Sequence, residues 1–170
     1  SAASDVYKRQ VQGGPQLPAS ITVDSLGSWT DFVGDEYKAF SGTAVYTTTI
    51  NKVPVADVIK LNLGTVAENA SVYLNGEYIG TVIDSPYQLY IPAEKFKGQD
   101  ELVVRVANSM ANRIAYMDKK GVDWKIFYNV NMSARKKENV KNGIFDASDW
   151  EPKSSGLLGP VTLTPAMVKQ

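Results

Sequence analysis

The sequence predicts an all-β fold, an antiparallel β-sandwich with one short helix. Three observations predict it. Asn75-Gly76 separates two apolar-rich runs, which is the strongest short-range hairpin signal a chain can carry. Apolar residues recur with a period of two along most of the chain, the spacing of half-buried strands. A single segment, around Met110 to Met117, carries helical spacing instead.

Taken in order, Ile21 and Val23 alternate before a stretch rich in Gly, Asp and aromatics, Leu26 to Phe40, which reads as a loop. Thr43 to Ile50 is β-branched and reads as a strand. Ile59, Leu61 and Leu63 alternate with Lys60 and Asn62, so one face of that strand is buried. At Asn75-Gly76 both central turn residues need positive φ, which Asn and Gly tolerate best. A two-residue loop there sets Leu74 opposite Glu77, Tyr73 opposite Tyr78 and Val72 opposite Ile79. Ala70, Val72 and Leu74 then share a face with Ile79 and Thr81, and the tyrosine pair takes the other.

Downstream, Tyr87, Leu89 and Ile91 alternate up to Pro92, which suits a strand end, and Leu102, Val104 and Val106 alternate again. Ile126 to Met132 and Val161 to Leu163 complete the strand set. Met110, Ile114 and Met117 predict a helix over Ser109 to Lys120, with Lys119 and Lys120 in its last turn and Gly121 just past it. The charged run from Arg135 to Lys141 reads as a solvated loop.

Composition excludes several functions. Lys plus Arg and Asp plus Glu both number 18, so no basic field favours nucleic acid. No apolar run approaches the roughly 20 residues that span a bilayer, so no membrane partner is expected. The chain has no Cys and no His, which removes thiol nucleophiles, disulfides, thiolate metal sites and any Ser-His-Asp arrangement. Carboxylate chemistry and oxygen-ligated calcium remain open.

Ser1 to Gln10 resembles a translated sequencing adapter, of the kind found at broken metagenomic reading frames. It runs into the polar, Gly/Pro-bearing VQGGPQLPAS. Residues 1–18 are therefore expected to be a non-native or linker segment outside the fold. The sandwich is expected over 19–165, with a C-terminal tail at 166–170.

Phe40-Ser41-Gly42-Thr43, Tyr46, Leu61-Asn62-Leu63-Gly64, Val72 to Gly76, Gly80 and Pro86 stand in an order that resembles the sugar-binding jelly-roll domain of family 2 glycoside hydrolases, with its galactose-binding-like fold. Val106-Ala107-Asn108, Ala111 to Ile114, Gly121 to Trp124, Ala147 to Trp150 and Ser155 to Leu163 look like the C-terminal module of bacterial family 106 α-L-rhamnosidases. The resemblance covers roughly Leu26 to Leu163. It implies a piece of an exported bacterial glycosidase whose acid and base carboxylates sit on a separate barrel upstream, and a chain end near the Ser155 to Leu163 motif. The expected partners are a glycan or that barrel, with no catalytic residue and no cofactor in this chain. A purely structural module without sugar affinity is the alternative.

Sugar sites combine a flat aromatic ring with carboxylate, amide or guanidinium partners. Trp29 with Asp31, Asn112 with Arg113, and Asp149 with Trp150 each offer such a pairing. Against this stands the plainer reading that both tryptophans seal the core while Arg113 pairs with Asp31 or Asp149. Carboxylate pairs for glycoside cleavage are Asp146 with Asp149, or Asp31 with Asp35 and Glu36; calcium ligands are Asp24, Asp146 and Asp149. Tyr73, Tyr78, Gln88 and Tyr90 are expected to form one aromatic strip, either exposed or covered by the chain after Gly121.

Overall fold

The computed structural model describes residues 4–9, 18–125 and 136–166. The first described strands are β1 (Ser4–Arg9), β2 (Ile21–Val23), β3 (Thr43–Ile50), β4 (Val58–Asn62), β5 (Thr65–Ala67), β6 (Asn69–Leu74) and β7 (Glu77–Val82). After them come β8 (Gln88–Pro92), β9 (Asp100–Ala107), β10 (Val140–Lys141), β11 (Ile144–Phe145), β12 (Gly156–Gly159) and β13 (Thr162–Ala166). Two helices accompany them, α1 (Asp35–Lys38) and α2 (Ala111–Lys119).

One layer is a six-stranded sheet in the order β2-β1-β3-β9-β6-β7. The other combines β13-β4-β8 with the pair β12-β5, joined by a bridge between Gly64 and Gly159. All the strand pairs are antiparallel, so the protein is an all-β sandwich, as its alternation predicts. Val72, Leu74, Val104 and Val106 of one layer meet Leu61, Leu63, Ile91 and Leu157 of the other in a single core. Each fully buried aliphatic side chain contributes about 2 kcal/mol.

The hairpin turns at Asn75 (φ 52°) and Gly76 (φ 80°), and Leu74 opposes Glu77 and Tyr73 opposes Tyr78 as expected. Beyond that pair the register differs. Val72 opposes Gly80 rather than Ile79, because one residue bulges out of β7. The bulge reverses the alternation that follows, so Val82 enters the core and Thr81 faces out beside Ser71. The expected inward Thr81 is thereby corrected.

Helix α2 also departs from its apolar reading. Met110 is an exposed N-terminal cap, and the buried face carries Asn112, Arg113 and Met117. Within the charged run, a 3-10 turn at Lys137–Asn139 leads into β10, which pairs with β11. Ser4–Arg9, set outside the fold by its sequence, lies as a strand between β2 and β3. Main-chain pairing along a sheet edge asks for no particular side chains, so composition could not reveal it. The strand expected at Ile126 to Met132 lies outside the described residues. Among the described residues no helix is long and apolar enough to cross a membrane.

Candidate functional site

A cleft of about 490 Å³ opens between α1, α2 and the segment Ser148 to Pro152. Its walls are held by buried polar groups. The Asp118 side chain is 1% exposed, lies 2.7 Å from Lys125 Nζ, and accepts hydrogen bonds from Trp124 Nε1 (2.7 Å) and the Ala147 N–H (2.8 Å). One carboxylate thus anchors the helix to the segment that forms the opposite wall.

The second anchor is Asn112. Its amide donates to the Lys153 carbonyl (2.8 Å) and accepts from the Lys153 N–H (2.8 Å), so the side chain copies a strand pairing. It also reaches Ser155 Oγ at 3.3 Å, a hydroxyl to which Asn108 donates from 3.2 Å. The Ser155 backbone in turn holds Ser28 and Trp29, through Ser155 N–H to Ser28 Oγ (2.9 Å) and Trp29 N–H to the Ser155 carbonyl (3.0 Å). The buried polar groups of these loops thus satisfy one another where the loops meet.

Within the cleft, Trp150 is half-buried and fixed in orientation. Its indole N–H donates to Asn139 Oδ1 at 2.9 Å, and its ring meets the edge of Phe145 at 5.8 Å. Tyr116, one helical turn from Asn112, also lines the cleft. Lys120 Nζ lies 3.1 Å from Asp35 and 5.5 Å from the Tyr116 ring centre. Its hydrogen bond to Asp35 raises the pKa of its ammonium. Asp149, Glu151, Lys38 and Lys119 complete a polar rim. Such a cleft suits a polar ligand with an apolar face.

The six expected ligand contacts divide. Asn112, Asp149 and Trp150 line the cleft. Arg113 is buried beside it, with its guanidinium 5.9 Å from the Tyr116 ring; burial lowers its pKa. Trp29 does not present its indole to solvent: it is 1% exposed and packs edge-on against Phe40 at 5.3 Å. Asp31 is exposed in the adjoining 3-10 turn and is not among the cleft residues. Tyr116 and Asp118 went unmarked in the sequence reading, although Tyr116 lies four residues from Asn112 on one helix face.

Three of the candidate carboxylates are paired with lysines. Lys141 Nζ stands between Asp146 (3.4 Å) and Asp149 (3.1 Å). Asp146 also accepts from the Ser148 hydroxyl, and that bond holds its carboxyl below the usual range. Asp35 is paired with Lys120, and Asp24 is exposed on a separate segment. Among the described residues no three carboxylates gather as a metal site. The expected tyrosine strip is split: Tyr73 and Tyr78 share the outer face of the six-stranded sheet, whereas Gln88 and Tyr90 belong to the other layer.

No protein-family model matches the chain. It is 32% identical over 158 residues to a protein of Formosa agariphila that carries the name β-glucuronidase, covering 84% of this chain and 14% of that protein. The solved rhamnosidase of Novosphingobium sp. PP1Y matches 96% of this chain with a TM-score of 0.74 and 28% identity; the match covers 14% of the rhamnosidase. A family 2 β-galacturonidase from Eisenbergiella tayi shares the fold at 21% identity and a TM-score of 0.50, over 64% of this chain and 18% of its own. The chain is therefore similar to one domain of glycoside hydrolases and spans a small part of the length of these relatives.

Proposed function

We propose that this chain is a non-catalytic, carbohydrate-recognising module of a larger glycoside hydrolase, galactose-binding-like in fold and α-L-rhamnosidase-like in parentage. The parent is an exported bacterial enzyme whose cleaving carboxylates lie on another domain. The observation that carries the reading is the cleft, where an indole fixed by Asn139 and Phe145 stands with Tyr116 among charged and amide groups. Its volume suits one or two sugar rings, with the aromatic faces taking the apolar side of a pyranose and the rim its hydroxyls. The pairing of Asp35, Asp146 and Asp149 with lysines favours a role in binding over one in cleavage.

Titration of the chain with rhamnose-containing oligosaccharides, followed by tryptophan fluorescence, tests this. Saturable binding is expected, weakened about tenfold in both Trp150→Ala and Tyr116→Ala. If no saccharide binds, the proposal fails and the structural alternative stands. That alternative has its own support. Val33 and Val122 are exposed, each two residues along the chain from a partner of the Asp35–Lys120 pair, where a neighbouring domain could cover them.

A further inference from the structure

The outer face of the six-stranded sheet carries a second constellation, built by β9, β6 and β7. Arg105 is exposed, and its guanidinium carbon lies 4.6 Å from the Tyr73 ring centre. None of the ion pairs among the described residues involves Arg105. Tyr73 leans against Tyr78 at 5.5 Å with a 60° tilt, and Tyr78 is 55% exposed. From Tyr78 a chain of hydroxyls runs back across the sheet: Tyr78 Oη to Thr81 Oγ1 at 2.9 Å, then Thr81 Oγ1 to Ser71 Oγ at 2.7 Å. Ser71 lies directly opposite Arg105 in the β6–β9 ladder, so the hydroxyl chain and Arg105 rise from the same face of neighbouring strands. The β7 bulge makes this possible, since without it Thr81 would face the core.

We propose that this face binds a uronate-bearing oligosaccharide. A guanidinium seated against an aromatic ring, and outside the ion pairs of the described residues, has N–H edges to offer a planar carboxylate through two parallel hydrogen bonds. Charge complementarity therefore calls for an anion. The exposed Tyr78 ring offers a flat apolar surface beside it. The three linked hydroxyls can each donate or accept, which matches sugar hydroxyls better than the fixed polarity of an acidic peptide. The rigid sheet holds the elements in register before any ligand arrives. This surface is separate from the cleft, and its assignment does not rest on the cleft reading.

The test is a titration of the ¹⁵N-labelled chain with tri-galacturonic acid, its methyl ester, and hexaglutamate. Tri-galacturonic acid is expected to shift the amides of residues 71–81 and 103–105. The neutral methyl ester is expected to bind about tenfold more weakly, and Arg105→Ala to lose a similar factor. Arg105→Lys keeps the charge but loses the bidentate fork, and is expected to recover only part of that loss. Shifts confined to 115–120 and 148–152 would overturn the assignment to the sheet while supporting the cleft. Equal affinity for acid and ester, unchanged binding in Arg105→Ala, absence of binding, or hexaglutamate binding as tightly would each overturn it as well.

Discussion

Tyr46 shows how one side chain can link both layers. It rises from the inner face of β3, and its hydroxyl accepts the Leu157 N–H of β12 at 3.1 Å. Burial raises its pKa from 10.0 to about 12, against the opposing pull of that N–H. A phenol whose folded value is raised contributes stability that is complete below pH 10 and is lost as pH climbs from 10 toward 12. Tyr46→Phe is expected to remove this site's share of the alkaline loss in thermal melts taken across that range. At neutral pH the variant is expected to lose about 1 kcal/mol, because the Leu157 N–H is left without a partner. At this scale the sequence was only partly legible. Trp29 and Trp150 are the same residue type beside the same kind of acid, yet one is core and the other lines a cleft. Nothing local separates them; the difference is which neighbours the fold brings to each ring.

At the scale of elements, the hairpin and the helix show where periodicity works and where it stops. Positive φ at Asn75 and Gly76 is a local demand met by local residues, so the turn was readable. The β7 bulge was marked only by Gly80: a glycine inside a strand signals a bulge, but it does not fix which residue leaves the ladder. In α2 the inward face is polar: Asn112 replaces packing with backbone pairing, which a search for apolar spacing cannot find. Strand β12 depends on Gly156, where φ is +112° and a Cβ would stand 2.4 Å from Tyr46 Oη and 2.8 Å from the Trp29 ring. Gly156→Ala is expected to cost about 3 kcal/mol or more, through backbone strain and overpacking together. Urea denaturation would check this, and a loss under about 1 kcal/mol would show that β12 can shift to accommodate a methyl group.

At the scale of the whole molecule, pH reports on the buried carboxylates. Asp100 is 1% exposed, and burial alone would raise its pKa. The Asn75 amide (2.7 Å), the N–H groups of Lys97 (2.8 Å) and Gly98 (3.0 Å) and the Lys97 charge outweigh that and hold it below the usual value. Asp146 is held low in the same sense. A depressed folded value means stability that is full above the unfolded carboxylate range and is lost as pH falls below about 4. Asp100→Asn is expected to lose about 2 kcal/mol at neutral pH and to show a shallower acid loss in urea midpoints measured down that limb. Because Asp100 ties the β6–β7 turn to the start of β9, the effect should be global unfolding rather than local fraying.

By itself the sequence determined the class of fold, the hairpin turn, the inward residues of β4, β8 and β9, and the absence of thiol and imidazole chemistry. These follow from local φ demands, period-two burial and composition, none of which needs a distant partner. Only the tertiary structure decided which tryptophan meets solvent, that Lys141 sits between Asp146 and Asp149, and that Arg105 finds Tyr73. Arg105 and Tyr73 meet because the sheet order sets β9 beside β6, and Trp29 is covered by Phe40 and by the Ser155 segment, which is distant in the chain. Lys141 reaches Asp146 and Asp149 within one short stretch, but only because the β10–β11 turn folds that stretch back on itself, which residue spacing does not reveal.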